Sequence, residues 1–195
     1  RDRYKTLTKD QYGNIDRGFE DYDEVASSLL SLPGVKRSAP LIRSQIMATY
    51  DNRNIGLEVF GISYKNLLGL ERIAKPEQYS GDINDFENGI SIGSGVAREL
   101  GVQVGDKIKL ISPNGVRTAF GTSPRVKQFE IVYIFTAGRY DIDRTRSYLP
   151  FSIAQEYFNR EGLADEIEVL LDNPSNLNEA VSHIENIVDP NIQLW

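Results

Sequence analysis

Hydrophobic and polar positions alternate most regularly between residues 105 and 135, GDKIKLISPNGVRTAFGTSPRVKQFEIVYIF. Ile108 and Leu110 sit between Lys107, Lys109 and Ile111, while Phe129, Ile131, Tyr133 and Phe135 alternate with Gln128, Glu130, Val132 and Ile134. A period of two is what a half-buried strand requires, so two strands are predicted here. The pattern lapses from Pro113 to Pro124, which predicts a connecting arm far longer than the roughly two to five residues of a usual hairpin loop. Phe120 and Gly121 lie at the middle of that arm, an apolar ring beside a hinge-capable residue.

Elsewhere the pattern divides into shorter elements. The first twenty residues are polar and turn-rich and predict extended, poorly ordered chain, with a short strand near Tyr4 to Leu7. Asp21 and Glu24 resemble a capping box, after which Val25, Leu29 and Leu32 share one helical face and Pro33-Gly34 stops the helix. Val35 to Tyr50 is β-prone, with Pro40 better suited to an edge or a bulge than to a central strand. Turn residues Asp51 to Asn54 lead into a strand over Ile55 to Ile62, so the pair reads as a hairpin. Residues 63–88 look irregular, with short helical turns and a loop at YSGDIND; a brief strand over Gly89 to Ile92 and a short helix from Val96 to Leu100, ending at Gly101, follow. After residue 150 the pattern predicts a helix carrying Ile153, Ala154, Tyr157 and Phe158, and a strand over Glu166 to Leu171. A capping signal at Asn173-Pro174-Ser175 precedes a helix carrying Leu177, Val181, Ile184 and Val188, and a last strand runs to Trp195. Helix–strand near the start and strand–helix–strand at the end predict an α+β architecture. In it, residues 1–52 and 151–195 form one α/β subdomain and residues 53–150 an inserted β-rich one carrying the arm, 113–124.

Charge sharpens the arm. Five basic residues and no acidic one lie between Lys107 and Gln128 (Lys107, Lys109, Arg117, Arg125, Lys127), so in a chain of net charge −6 the remainder carries −11 (−6 less +5). A basic, aromatic-tipped arm on an acidic body suggests an interaction device that could add to or insert into a partner with an apolar cavity and an acidic rim. Net acidity argues against nucleic acid as that partner. With 195 residues the chain can bury a full core. It has no cysteine, which excludes disulfides and thiolate metal sites. No apolar run is long enough to span a membrane, and the charged opening RDRYKTLTKD is not a secretory signal; the lack of an initiator Met suggests a fragment or processed form that membrane segments could flank.

Residues of types that carry chemistry elsewhere have simpler readings. His183, the one histidine, precedes Ile184 on a predicted helix and reads as solvent-facing. Asp141 with Asp143, and Asp21 with Asp23 and Glu24, read as turn and helix-start carboxylates. Gly89, Gly93 and Gly95 match neither phosphate-binding glycine spacing. No catalytic residues, cofactor or metal are expected.

The blocks LGVQVGDKIKLISPNG, AFGTSPRVKQFEIVYIFTAGRYDID and YLPFSIAQEYF, with DYDEVASSLLSLPGVKRSAPLIRSQIMA near the start, resemble the periplasmic domain of lipoprotein-releasing ABC-transporter permeases, the LolC/LolE family. The likeness runs from about Asp21 to Trp195 and is most specific at F-G-T-x-P-R-V-K. It implies a MacB-like domain on the periplasmic side of a bacterial inner membrane, with a Porter subdomain from both termini and an inserted Sabre subdomain. It also implies a hook-like hairpin and basic pad that recruit the periplasmic lipoprotein carrier LolA, with lipoprotein as cargo. A second permease subunit and a LolD-type ATPase are the implied partners in the full transporter. By position the hook falls on Pro113 to Pro124 and the pad on Lys109, Val126 and Lys127, which gives a partner-binding set of Lys109, Pro113, Arg117, Phe120, Gly121, Pro124, Arg125, Val126 and Lys127. The hook carries Ala119 where such hooks usually have proline. Two other readings of the residues stay open. One is a force-transmitting domain of a MacB-type efflux permease that binds a membrane-fusion partner. The other is a small-molecule-binding or enzymatic β-barrel built on the LGVQVGD strand.

Overall fold

The computed structural model describes the backbone of residues 2–9, 15–18, 20–118, 121–173, 175, 177–187 and 192–194, and the side chains of 18, 20–113, 123–173, 175 and 180–187. In chain order the elements are β1 (Asp2–Lys9), β2 (Ile15–Arg17), α1 (Tyr22–Leu30), β3 (Val35–Tyr50), β4 (Arg53–Ile62), α2 (Tyr64–Leu68), α3 (Glu71–Ala74) and β5 (Gln78–Gly81). After a 3-10 helix (Ile83–Asn88) come β6 (Ile90–Gly93), α4 (Ser94–Leu100), β7 (Lys107–Thr118), β8 (Gly121–Thr136), α5 (Tyr140–Thr145), β9 (Arg146–Pro150), α6 (Phe151–Tyr157), β10 (Glu166–Leu171), α7 (Leu177–Glu185) and β11 (Ile192–Leu194). Helices and strands mix as an α+β fold.

The chain divides into two compact units, residues 1–42 with 160–195, and residues 43–159. The boundaries fall inside β3 and just past α6, whereas the residue pattern put them at the turn after residue 52 and at Pro150.

In the first unit β1 lies between β10 and β11, all antiparallel, and β10 pairs on its other side with the start of β3. Ala26 and Leu29 of α1, Val35, Ile167 and Val169 of the sheet, and Ile184 of α7 form its core. This is the packing the helical and strand periodicities call for. Two expectations change. The N-terminal segment is an eight-residue strand paired on both edges rather than a short one. Asp21 is the N-cap of α1 but makes no side-chain capping bond, so the Asp21/Glu24 box does not form. Pro40 stands opposite Ile167 of β10 in the last strand of this unit's sheet, and the ladder shifts at Leu170/Leu171. An antiparallel ladder uses only alternate N–H groups toward a given neighbour, which is how a proline fits. The Asn173 side chain accepts the Ser175 N–H at 3.0 Å.

The second unit is a sheet in which β9, β4, β3, β7 and β8 are successive neighbours, with β6 joining β9 to β8 and β5 on the other flank of β8. Leu57, Val59, Ile92, Ile108, Leu110, Ile131 and Phe135 are buried in it. The stretch containing YSGDIND holds a strand, β5, rather than only loop. Its four residues all face solvent, so hydrophobicity gives no hint of the pairing.

Candidate docking surface

The largest correction concerns the arm. Its strands do not stop at Pro113 and Pro124: β7 and β8 stay paired through Val116 with Ser123, Arg117 with Thr122 and Thr118 with Gly121. The arm is therefore an extension of the hairpin itself. Between the Ser112–Arg125 and Val116–Ser123 pairs, β7 advances four residues while β8 advances two. This bulge holds Pro113, Asn114 and Gly115, and a proline there withdraws no ladder donor. Extra residues break the two-residue period, which is why the pattern looked like loop although the backbone keeps pairing. β3 pairs β7 only at Lys109 to Ile111, and β6 and β5 pair β8 only from Ile131 onward. Among the described pairings, the strands from Ser112 to Thr118 and from Gly121 to Arg125 have only each other.

Residues opposite one another share a face, so the register assigns every side chain at the hairpin root. Lys109 faces with Gln128 and Thr49, and Ile111 with Val126 and Met47. On the reverse face Leu110 is opposite Lys127 and Ser112 opposite Arg125. The predicted pad is thereby split: Lys109 and Val126 lie on one face and Lys127 on the other.

The reverse face is tied to α6. Arg125 Nη1 donates to the carbonyls of Glu156 at 2.7 Å and Tyr157 at 3.1 Å, and Nη2 donates to Asn159 Oδ1. A guanidinium on the last carbonyls of a helix satisfies orphan acceptors and suits the negative end of the dipole. Tyr157 returns a bond from its hydroxyl to the Arg125 carbonyl at 3.2 Å, and its ring meets Phe129 edge-on at 5.6 Å. Burial pushes the Tyr157 phenol up to about 12, although the Ser112 backbone and the Arg125 cation pull the other way. Lys127 lies over the Phe129 ring at 5.6 Å and reaches Glu156 Oε1 at 3.4 Å. Sequence reasoning gave Arg125 and Lys127 to the arm but missed this helix-capping role.

The open face carries Val126, 56% exposed, and Met47, 49% exposed, on either side of the half-buried Ile111, with Lys109 exposed next in line. The three form an apolar row across three strands. Pro113 and Pro124 flank it on the hairpin side and are exposed. Arg117 and Gly121 belong to the paired extension, while the side chain of Arg117 and all of Ala119 and Phe120 lie outside the described residues.

The alternative sites resolve into structure. Gly89, Gly93 and Gly95 are close-packing positions: a Cβ would meet the Glu130 carbonyl at 2.2 Å, the Asp143 carbonyl at 2.3 Å and the Arg144 side chain at 2.6 Å. Asp143 accepts the N–H groups of Ala137 at 2.6 Å and Arg139 at 3.2 Å, which organises the turn into α5. The Arg139 side chain, hydrogen-bonded to Asp141, holds that carboxyl below its usual value. His183 is exposed. Among the described residues no group of three metal-ligating side chains comes together, and no helix is long and apolar enough to cross a membrane.

With the geometry in place, comparison with known proteins gives a consistent answer. The model of the MacB-like periplasmic core domain matches residues 4–187. The lipoprotein-releasing system transmembrane protein LolC of Neisseria meningitidis serogroup B is 26% identical over 174 residues, 85% of this chain and 40% of that protein. LolC of Buchnera aphidicola is 25% identical over 178 residues, 86% of this chain and 42% of that protein. The chain thus spans about two fifths of the curated relatives it matches. Among solved structures, the extracellular domain of the noncanonic ABC-type transporter YknZ from Gram-positive bacteria aligns over 100% of both chains with a TM-score of 0.56 at 13% identity. The periplasmic region of MacB from Actinobacillus actinomycetemcomitans aligns over 100% of this chain and 87% of its own, also with a TM-score of 0.56, at 10% identity. Those two likenesses speak for the fold.

Proposed function

The chain belongs to the family of MacB-like periplasmic core domains, and from that premise we propose that it is the noncatalytic periplasmic domain of a LolC-like lipoprotein-releasing permease. On this reading its hairpin docks the periplasmic carrier LolA and assists transfer of lipoprotein from the inner membrane to that carrier. The observation that carries the reading is the extension of β7 and β8 beyond Ser112 and Arg125 as a two-stranded ribbon with exposed Lys109, Val126, Pro113 and Pro124 at its root. A ribbon of this kind can enter a cavity as a unit, and an apolar tip residue there acts as an anchor while root cations steer the encounter. Names of the sequence relatives favour lipoprotein release over efflux, since LolC proteins are the curated matches. A second permease subunit and a LolD-type ATPase complete the proposed transporter.

Calorimetric titration of LolA into the chain tests the reading. Phe120→Ala weakens binding by about 2 kcal/mol if the tip is a hot spot. Lys109→Glu slows association most at low salt, because a rim charge acts through steering. Unchanged affinity in Phe120→Ala together with unchanged association in Lys109→Glu contradicts it. A membrane-fusion protein that binds where LolA does not would instead favour the efflux reading.

A further inference from the structure

The open face of the hairpin root continues into a groove of about 620 Å³ whose walls include Met47, Gly56, Ile111, Pro113 and Pro124. Its size is that of a small-ligand site. We propose that this groove receives a fatty acyl chain of the lipoprotein cargo; the inference rests on the lipoprotein-release reading and gives that reading a lipid site separate from the hairpin tip.

Four features of the groove argue for a hydrocarbon occupant. First, its walls run across the sheet. Thr145 at the end of α5, next to β9, Gly56 and Glu58 of β4, Met47 of β3, Ile111 of β7 and Pro124 of β8 follow the order of neighbouring strands. Four strand spacings of about 4.8 Å give a run of roughly 19 Å, the length of an extended long-chain acyl group rather than of a compact metabolite. Second, the hairpin end is walled by two prolines, which have no N–H to give. An extended peptide laid there would leave its own carbonyls unanswered, whereas a methylene chain needs no hydrogen bonds.

Third, Gly56 leaves its part of the wall bare. A Cβ at this position meets nothing within 4 Å, and its backbone is not in the left-handed region, so a side chain here would project into open space over the groove without backbone strain. Glycine in a strand interior is disfavoured for the strand itself, which points to a gain from the space it leaves. Fourth, the charge near the far end is already matched inside the protein. Glu58 accepts from Arg43 Nε at 2.7 Å and lies 3.7 Å from Arg146 Nε, so it is turned to its own arginines rather than presented to a cation in the groove. At the other end the groove runs directly into the Met47–Ile111–Val126 row at the root of the proposed carrier-docking hairpin, a continuous apolar path from one to the other.

The chain supplies its own reporter, because Met47 is its single methionine. With a 13C label on that methyl group, one resonance reads groove occupancy. A triacylated cysteinyl lipopeptide, held below its micelle concentration, is expected to shift it saturably, and the same peptide without acyl chains to leave it unmoved. Gly56→Leu fills the space and is expected to weaken the lipopeptide at least tenfold, without lowering Tm and without changing LolA affinity. Should that variant fold poorly, a nitroxide on the acyl chain of the lipopeptide must broaden the methyl signal of the wild-type chain. A Met47 signal that ignores the lipopeptide, follows the unacylated peptide equally, or responds as tightly to free palmitate overturns the assignment. Failure of the carrier reading has a different signature, since loss of LolA binding to the hairpin leaves this methyl titration intact.

Discussion

Leu110 and Ile111 are neighbours on one strand and belong to two different surfaces. Leu110 is fully buried on the face that meets α6, where Arg125 closes the helix and Lys127 covers the Phe129 ring. Ile111 is half-buried on the face shared with Met47, Val126 and Lys109, where no helix of the unit covers Val126 or Met47 enough to hide them. The hairpin therefore has a side used for holding itself in place and a side left available. Basic residues close together in sequence divide between the two, and only the open side can serve a partner without first breaking an internal contact.

Substitutions on each face measure that division. Leu110→Ala removes buried methyl groups from a packed site and is expected to lower unfolding free energy by about 3 kcal/mol in urea melts. Arg125→Ala leaves the last α6 carbonyls without their donor and is expected to cost about 2 kcal/mol, with Arg125→Lys recovering only part of it because the donors of an ammonium all radiate from one nitrogen and lack the spread of the guanidinium fork. A pH titration of stability reads the same face. Tyr157 and Tyr133 are both pushed up to about 12, first of all by burial. A tyrosine ordinarily ionises near 10, so the unfolded chain loses these protons first. Their contribution is fully present below pH 10 and is lost as pH rises through 12. Tyr157→Phe is expected to flatten the fall in stability between pH 10 and 12. On the open face Val126→Ala is expected to change stability by less than about 0.5 kcal/mol. A Val126→Ala effect as large as that of Leu110→Ala would erase the distinction between the faces.

How much of this was legible in the sequence depends on whether a feature is local. The strands β7 and β8, the β3–β4 hairpin and the helix after Pro150 follow from periodicity and turn chemistry, which are properties of adjacent residues. The arm misleads because Pro113, Asn114 and Gly115 enter as a bulge and shift the phase, so a paired ribbon reads as loop. Strand β5 escapes because four exposed residues have no hydrophobic alternation to show. Arg125 reads as one more cation of the arm because its acceptors, Glu156 and Tyr157, lie more than thirty residues on. The groove is assembled from five strand neighbourhoods, so no window of sequence contains it.

The central claim is that the two-stranded extension is the grip on the carrier. Joining Ser112 to Arg125 through Asn-Gly keeps their paired register, supplies a turn suited to a tight hairpin and deletes only the ribbon beyond it. Titration of LolA against the parent chain and this shortened one, at equal stability and salt, is the direct measurement. The account predicts saturable binding to the parent and none to the shortened chain; equal affinity for both contradicts it.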